Sequence, residues 1–172
     1  MIRNRTWRSA AIGCVLAADL VVLLVCGARL PGFVPFALGL LAVATVWALA
    51  RPAGSGALAL VVVQVLCVGT VTGAPASTGG WALAAVAAAA VIVTHLALTL
   101  LGSWPRRADL PRETARRWVT QAAALVWVGI TVAAVGAVAA LTPQGWAPWL
   151  GAVALVLVAA TTWQVRTATR RR

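Results

Sequence analysis

Three residues carry side chains capable of proton or cation chemistry inside otherwise apolar sequence: Asp19 in "AADLVVLLV", Gln64 in "LVVVQVLCV" and His95 in "VIVTHLALT". A carboxyl and an imidazole in contact can exchange a proton, and an amide can hydrogen-bond to both. A carboxyl alone in hydrocarbon is tolerable as the neutral acid, whereas one beside a protonated imidazole can keep its charge. The chemistry open to Asp19 therefore depends on its neighbours, and three arrangements are compatible with the sequence. In the first, Asp19 bonds to a Thr, a Gln or a backbone carbonyl of a neighbouring helix, as ordinary glue within a membrane bundle. In the second, Asp19 and His95 together bind a proton or cation and change charge during a cycle. In the third, Asp19 faces another protein and pairs with a polar residue of that protein's membrane helix.

The elements that must position these residues are membrane helices. Hydrophobic residues make up 62% of the 172-residue chain, charged residues only 10%, and the mean hydropathy is +0.96, far outside the range of soluble domains. Dividing the chain at its Pro, Gly and Arg clusters leaves six apolar segments, over residues 10–28, 33–50, 57–73, 81–102, 118–141 and 146–165. Each is close to the roughly 20 residues that cross about 30 Å of hydrocarbon as a helix. The third is the weakest of the six, being the shortest and containing Gln64, Thr70 and Thr72. Long unbroken apolar runs exclude barrel strands, which alternate in polarity. The expected fold is all-α: a polytopic bundle of six transmembrane helices in one domain, with both termini cytoplasmic.

Charge supports that topology. All fourteen basic residues are arginines. With six spans and a cytoplasmic N-terminus, only Arg29 falls outside, as the positive-inside rule requires; five spans would put the terminal "RRR" on the wrong face. Trp81, Trp104, Trp118, Trp146, Trp149 and Trp163 lie near segment ends, where indoles favour the headgroup level, while Trp47 and Trp127 lie deeper and are expected between helices. The alanine tract in "WALAAVAAAAVIV", the pair Gly69 and Gly73, and Ala133 with Ala137 offer small-residue faces for close helix approach.

Counted from the cytoplasmic ends of these segments, Asp19 lies about 14 Å deep, and Gln64 and His95 about 10 Å each. Similar depth makes the three an expected intramembrane polar cluster if the first, third and fourth helices meet. The loop over 103–117 is the only long connection. There Asp109 is placed to cap a helix beginning at Leu110, with Pro111 in its first turn, and Glu113 to pair with Arg117. Arg106, Arg107, Arg112, Arg116 and Arg117 are expected to contact anionic lipid headgroups or an acidic partner.

Several classes are disfavoured. The net charge of +11 sits at the ends of apolar segments and not on one basic face, so nucleic acid is not expected as a partner. Cys14, Cys26 and Cys67 are widely spaced within apolar runs, which suits small core residues and not a disulfide framework or metal site. In "LLVCG", Val25 is too large to precede a processed cysteine, so the first segment is expected to remain an uncleaved helix. One histidine, one intramembrane acid and no HExxH or phosphate-cradling glycine motif argue against an enzyme, and no cofactor or metal is expected. In composition and topology the chain resembles small bacterial inner-membrane proteins. The expected role is that of a non-enzymatic accessory or structural component of a bacterial membrane assembly, meeting another membrane protein or a second copy of itself. The alternative is a small proton-coupled or ion-conducting transporter using Asp19 and His95.

Overall fold

The computed structural model describes residues 2–72, 77–105 and 108–141. Five α-helices follow one another: α1 (Asn4–Arg29), α2 (Val34–Ala50), α3 (Ser55–Thr72), α4 (Thr78–Ser103) and α5 (Arg112–Leu141). All five are long and apolar enough to cross a membrane. The expected sixth segment, 146–165, lies outside the described residues, as do Arg106 and Arg107.

The connections follow from local chemistry. After α1 the Leu30 N–H closes on the Cys26 carbonyl at 2.8 Å, and Pro31 opens a single 3-10 turn (Pro31–Phe33) that leads into α2. Proline suits that position because its fixed φ matches the first helical turn and its missing N–H would have no acceptor there. α2 and α3 form a tight hairpin around residues 51–54. Gly56 is required at its base: a Cβ there would lie 2.5 Å from the backbone carbonyl oxygen of Trp47. Ser77 caps α4, its Oγ accepting from the Gly80 N–H at 3.2 Å.

Helices α1 to α4 form the body of the bundle, with α1 against α4, α2 against α3, and α3 in contact with both α1 and α4. Each contributes one stripe to the interior. On α1 it runs through Trp7, Ala11, Val15, Ala18, Val22 and Cys26, at steps of three and four. On α2 it is Ala37, Leu41, Ala44 and Ala48; on α3 Leu60 and Cys67; on α4 Ala87, Ala90, Ala97, Leu98 and Leu101. Small residues predominate, as expected where helices associate by close approach in lipid. α5 packs chiefly on α4 and has no buried residue among those described. Its registration comes from two contacts: Trp118 donates from Nε1 to the Leu96 carbonyl at 3.1 Å, and Gly136 receives the Trp81 ring, which would lie 2.6 Å from a Cβ.

Some expectations are corrected. α1 begins at Asn4, ahead of the apolar run that starts near Ala10, and α5 begins at Arg112, ahead of the apolar run from Trp118 as the loop's helix signals led one to expect, because polar residues continue a helix past the run that hydropathy detects. Leu110 is not the first residue of α5: it forms an isolated antiparallel bridge with Ile2, through N–H···O contacts of 2.8 and 3.0 Å, so Asp109 does not occupy the cap position. Glu113 and Arg117 do pair, at 2.8 Å. Among the described residues Trp47 and Trp127 do not pack between helices; they are 44% and 67% exposed, since depth in a segment does not decide which way an indole points around its helix. Gly69 has open space around it and supports no close helix approach.

Candidate functional site: a polar cluster across four helices

Near mid-bundle, each of the four body helices contributes one polar side chain to the interior. Asp19 on α1 is 7% exposed, Thr45 on α2 is 6%, and Gln64 on α3 and Thr94 on α4 are both at 0%. The Thr45 hydroxyl donates to Asp19 Oδ2 at 2.6 Å, and Gln64 Nε2 donates to Asp19 Oδ1 at 2.7 Å. The same amide nitrogen donates to Thr94 Oγ1 at 3.0 Å. Both carboxyl oxygens are thereby engaged within the chain, and the amide uses its two hydrogens to join α1 to α4 through α3. Gln64 Oε1 is buried without a partner.

The energetics favour an internal staple. An aspartate near the centre of a membrane helix costs about 2.5–3.5 kcal/mol to insert. Interhelical hydrogen bonds in membranes contribute about 0.6 kcal/mol each on average, so the two to Asp19 return roughly 1 kcal/mol, part of that cost. The remainder is carried by the apolar residues on either side of Asp19. The cluster also fixes rotation: a turn of any one helix about its axis would break a bond that the lipid cannot replace.

Of the three residues grouped by depth, the structure brings Asp19 and Gln64 together and leaves His95 apart. His95 is exposed on the outer face of α4. Its neighbour Thr94 sits on the buried stripe, and one residue along a helix is a rotation of about 100°. Depth was matched but azimuth was not. Thr45 and Thr94 were not singled out in the sequence because threonine is unremarkable in a membrane segment, where its hydroxyl commonly returns to the carbonyl four residues earlier. Thr70, Thr72, Thr99 and Thr131 do this here. The usable signal was the stripe: Thr45 is flanked at helical spacing by Leu41 and Ala48, and Thr94 by Ala87, Ala90, Ala97 and Leu101.

Two features lie on either side of this layer. Toward the end of the bundle bearing Arg29, Cys26 and Cys67 are both buried free thiols, and Cys26 Sγ approaches the Cys67 carbonyl at 3.9 Å. At the opposite end, Trp7 is buried and donates from Nε1 to the Ala108 carbonyl at 3.3 Å, beside the Ile2 bridge to Leu110. Of the arginines expected at the surface, Arg112, Arg116 and Arg117 are exposed on the first turns of α5. Among the described residues no group of three or more His, Cys, Asp or Glu could hold a metal ion.

Five apolar helices and a polar centre closed on itself define the class, a multi-pass helical membrane protein. The chain matches no family model, no curated protein and no solved structure.

Proposed function

We propose that this protein is a non-enzymatic accessory component of a bacterial inner-membrane assembly, spanning the membrane six times with both termini cytoplasmic. The observation that carries the reading is the engagement of both Asp19 oxygens by Thr45 and Gln64 of the same chain. An acid so held is an internal staple, with neither oxygen turned toward a second protein. That removes support from a partner contact through Asp19. A transport cycle shared by Asp19 and His95 also loses support, because the imidazole faces the other way. What remains for recognition is His95, a polar ring on the outer face of α4 about 12 Å from the helix end at Ser103. Intramembrane ionisable groups ordinarily face protein or water and not lipid, so the α4 face bearing His95 is the docking face under this proposal.

The test is co-purification in mild detergent from native membranes, with His95→Leu and Asp19→Asn processed in parallel. The expected result is a stoichiometric membrane partner, retained by Asp19→Asn and lost in His95→Leu. Recovery of the protein alone, or loss of the partner only in Asp19→Asn, would overturn the reading. The topology is tested separately by labelling a cysteine placed at Arg171, which should react only from the cytoplasmic side.

A further inference from the structure

The polar layer at mid-bundle holds more oxygen than its hydrogen bonds use. Asp19, Thr45, Gln64 and Thr94 bring five side-chain oxygens into the interior from four helices, and all four residues are more than nine-tenths buried. Four of the oxygens take part in hydrogen bonds within the layer. The fifth, Gln64 Oε1, is buried without a partner. A buried acceptor left unpaired is costly, and native sites ordinarily satisfy one with water or an ion.

The amide itself bounds the position of that oxygen. The oxygen and nitrogen of an amide lie about 2.2 Å apart. Nε2 is 2.7 Å from Asp19 Oδ1 and 3.0 Å from Thr94 Oγ1, so Oε1 lies within about 5 Å of both. Turning the amide over exchanges the two atoms with little movement elsewhere, because the terminal torsion of glutamine is broad and roughly two-fold. The turned amide presents an oxygen to Asp19 and Thr94 in place of its hydrogens. Oxygens gathered in this way repel one another unless a cation sits among them. The threonines can follow, since a helical threonine hydroxyl can give its hydrogen to the carbonyl four residues earlier, as Thr70, Thr72, Thr99 and Thr131 do. Thr45 and Thr94 would then offer lone pairs to the same cation.

Charge and size select the ion. Asp19 supplies one negative charge, and among the described residues no basic side chain pairs with it. His95 faces outward, and the described arginines stand in connections, at helix ends or in the first two turns. A carboxylate so placed has to be neutralised by a proton or by an ion of one positive charge. Divalent ions are held by several carboxylates or by retained water, whereas the other two acids, Asp109 and Glu113, lie in the α4 to α5 connection and the first turn of α5. An ion that takes oxygens at about 2.4 Å, with right angles between them, spaces them about 3.4 Å apart. The present contacts are 2.6, 2.7 and 3.0 Å, so the layer opens by about 0.4–0.8 Å for an ion of that size and by more for a larger one.

We propose that Asp19, Thr45, Gln64 and Thr94 bind one dehydrated sodium ion, which neutralises Asp19 in place of a proton. Sodium enters as one proton leaves to water, so the net charge of the interior is unchanged. The site lies within a single chain and does not rest on the partner proposed at the His95 face, so failure of that reading would leave it standing.

The experiment is thermal unfolding of the full chain in mild detergent at mildly alkaline pH, in sodium, potassium or choline chloride at one ionic strength of about 0.15 M. Sodium should raise the unfolding temperature by at least about 3 °C over choline, the shift given by a ligand present at about ten times its dissociation constant. Potassium should give less than about half of that shift. Asp19→Asn keeps the hydrogen-bonding shape without the charge, and should unfold at the same temperature in all three salts. Thr45→Val removes one ligand oxygen at constant shape and should lose most of the shift, while Thr45→Ser should keep it. Thr70→Val, whose hydroxyl bonds within its own helix, should keep it in full. Equal unfolding temperatures in sodium and choline, equal shifts from sodium and potassium, or a sodium shift that survives in Asp19→Asn overturns the proposal. Thr45→Ser and Asp19→Asn decide the case if Thr45→Val does not fold.

Discussion

Asp19 is held by donors of two kinds, a hydroxyl on one oxygen and an amide on the other. An asparagine in its place can accept from Gln64 through its carbonyl and donate to Thr45 through its amide, so the geometry tolerates loss of the acid. Asp19→Asn should therefore change stability by less than about 1 kcal/mol. Asp19→Ala removes both contacts and leaves the Gln64 amide short of an acceptor in a buried site, which should cost about 1–3 kcal/mol. Unfolding of both variants in mixed micelles measures the difference; equal destabilisation would mean that the charge, and not the hydrogen-bond geometry, is what the bundle uses. The sequence made Asp19 and Gln64 conspicuous because they are polar where lipid penalises polarity. It concealed Thr45 and Thr94 because their small cost leaves no such mark, and it drew in His95 by a depth that says nothing about which way a helix faces.

At the scale of elements, the helices are legible and their close approaches are not. Hydropathy located all five described helices, since a continuous apolar run long enough to span has few alternatives in a membrane. Hydropathy alone does not show their polar extensions, of which the one on α5 was legible from the turn residues before it, and it did not distinguish glycines that face lipid from those that meet another backbone. Gly56 and Gly39 are both helical, yet a Cβ on Gly56 meets the rigid backbone of Trp47, while nothing lies within 4 Å of one on Gly39. Gly56→Ala must therefore push α2 and α3 apart, costing about 1–3 kcal/mol. Gly39→Ala should be neutral or stabilise by up to about 1 kcal/mol, by restricting the unfolded chain. Thermal unfolding in one detergent orders the two variants, and a Gly56→Ala protein as stable as Gly39→Ala would show that the hairpin is looser than its geometry.

The whole molecule is closed at one end by contacts far apart in sequence. Ile2 bridges to Leu110, and Trp7 packs into the interior while its indole donates to Ala108, so the start of α1 straps down the connection between α4 and α5. This strap matters because α5 has no buried residue among those described and, among the described residues, is tied to the body through α4 and this connection. Truncating a buried tryptophan to alanine typically costs about 3–5 kcal/mol. If even half of that is lost locally, the opened form of the loop becomes more populated by about tenfold or more, at 1.4 kcal/mol per decade. Trypsin cuts after arginine, and "SWPRRADLPRETARR" supplies the sites. When opening is fast relative to cleavage, the cutting rate follows the open population. Trp7→Ala should therefore be cut in this loop at least about tenfold faster than the wild type. Trp7→Phe keeps most of the buried ring and loses only a long 3.3 Å hydrogen bond, so its rate should rise by no more than a few-fold. A wild-type rate in Trp7→Ala would mean that α5 is held to the body through its packing on α4, including the contacts of Trp118 and Trp81, with the N-terminal strap contributing nothing to its attachment.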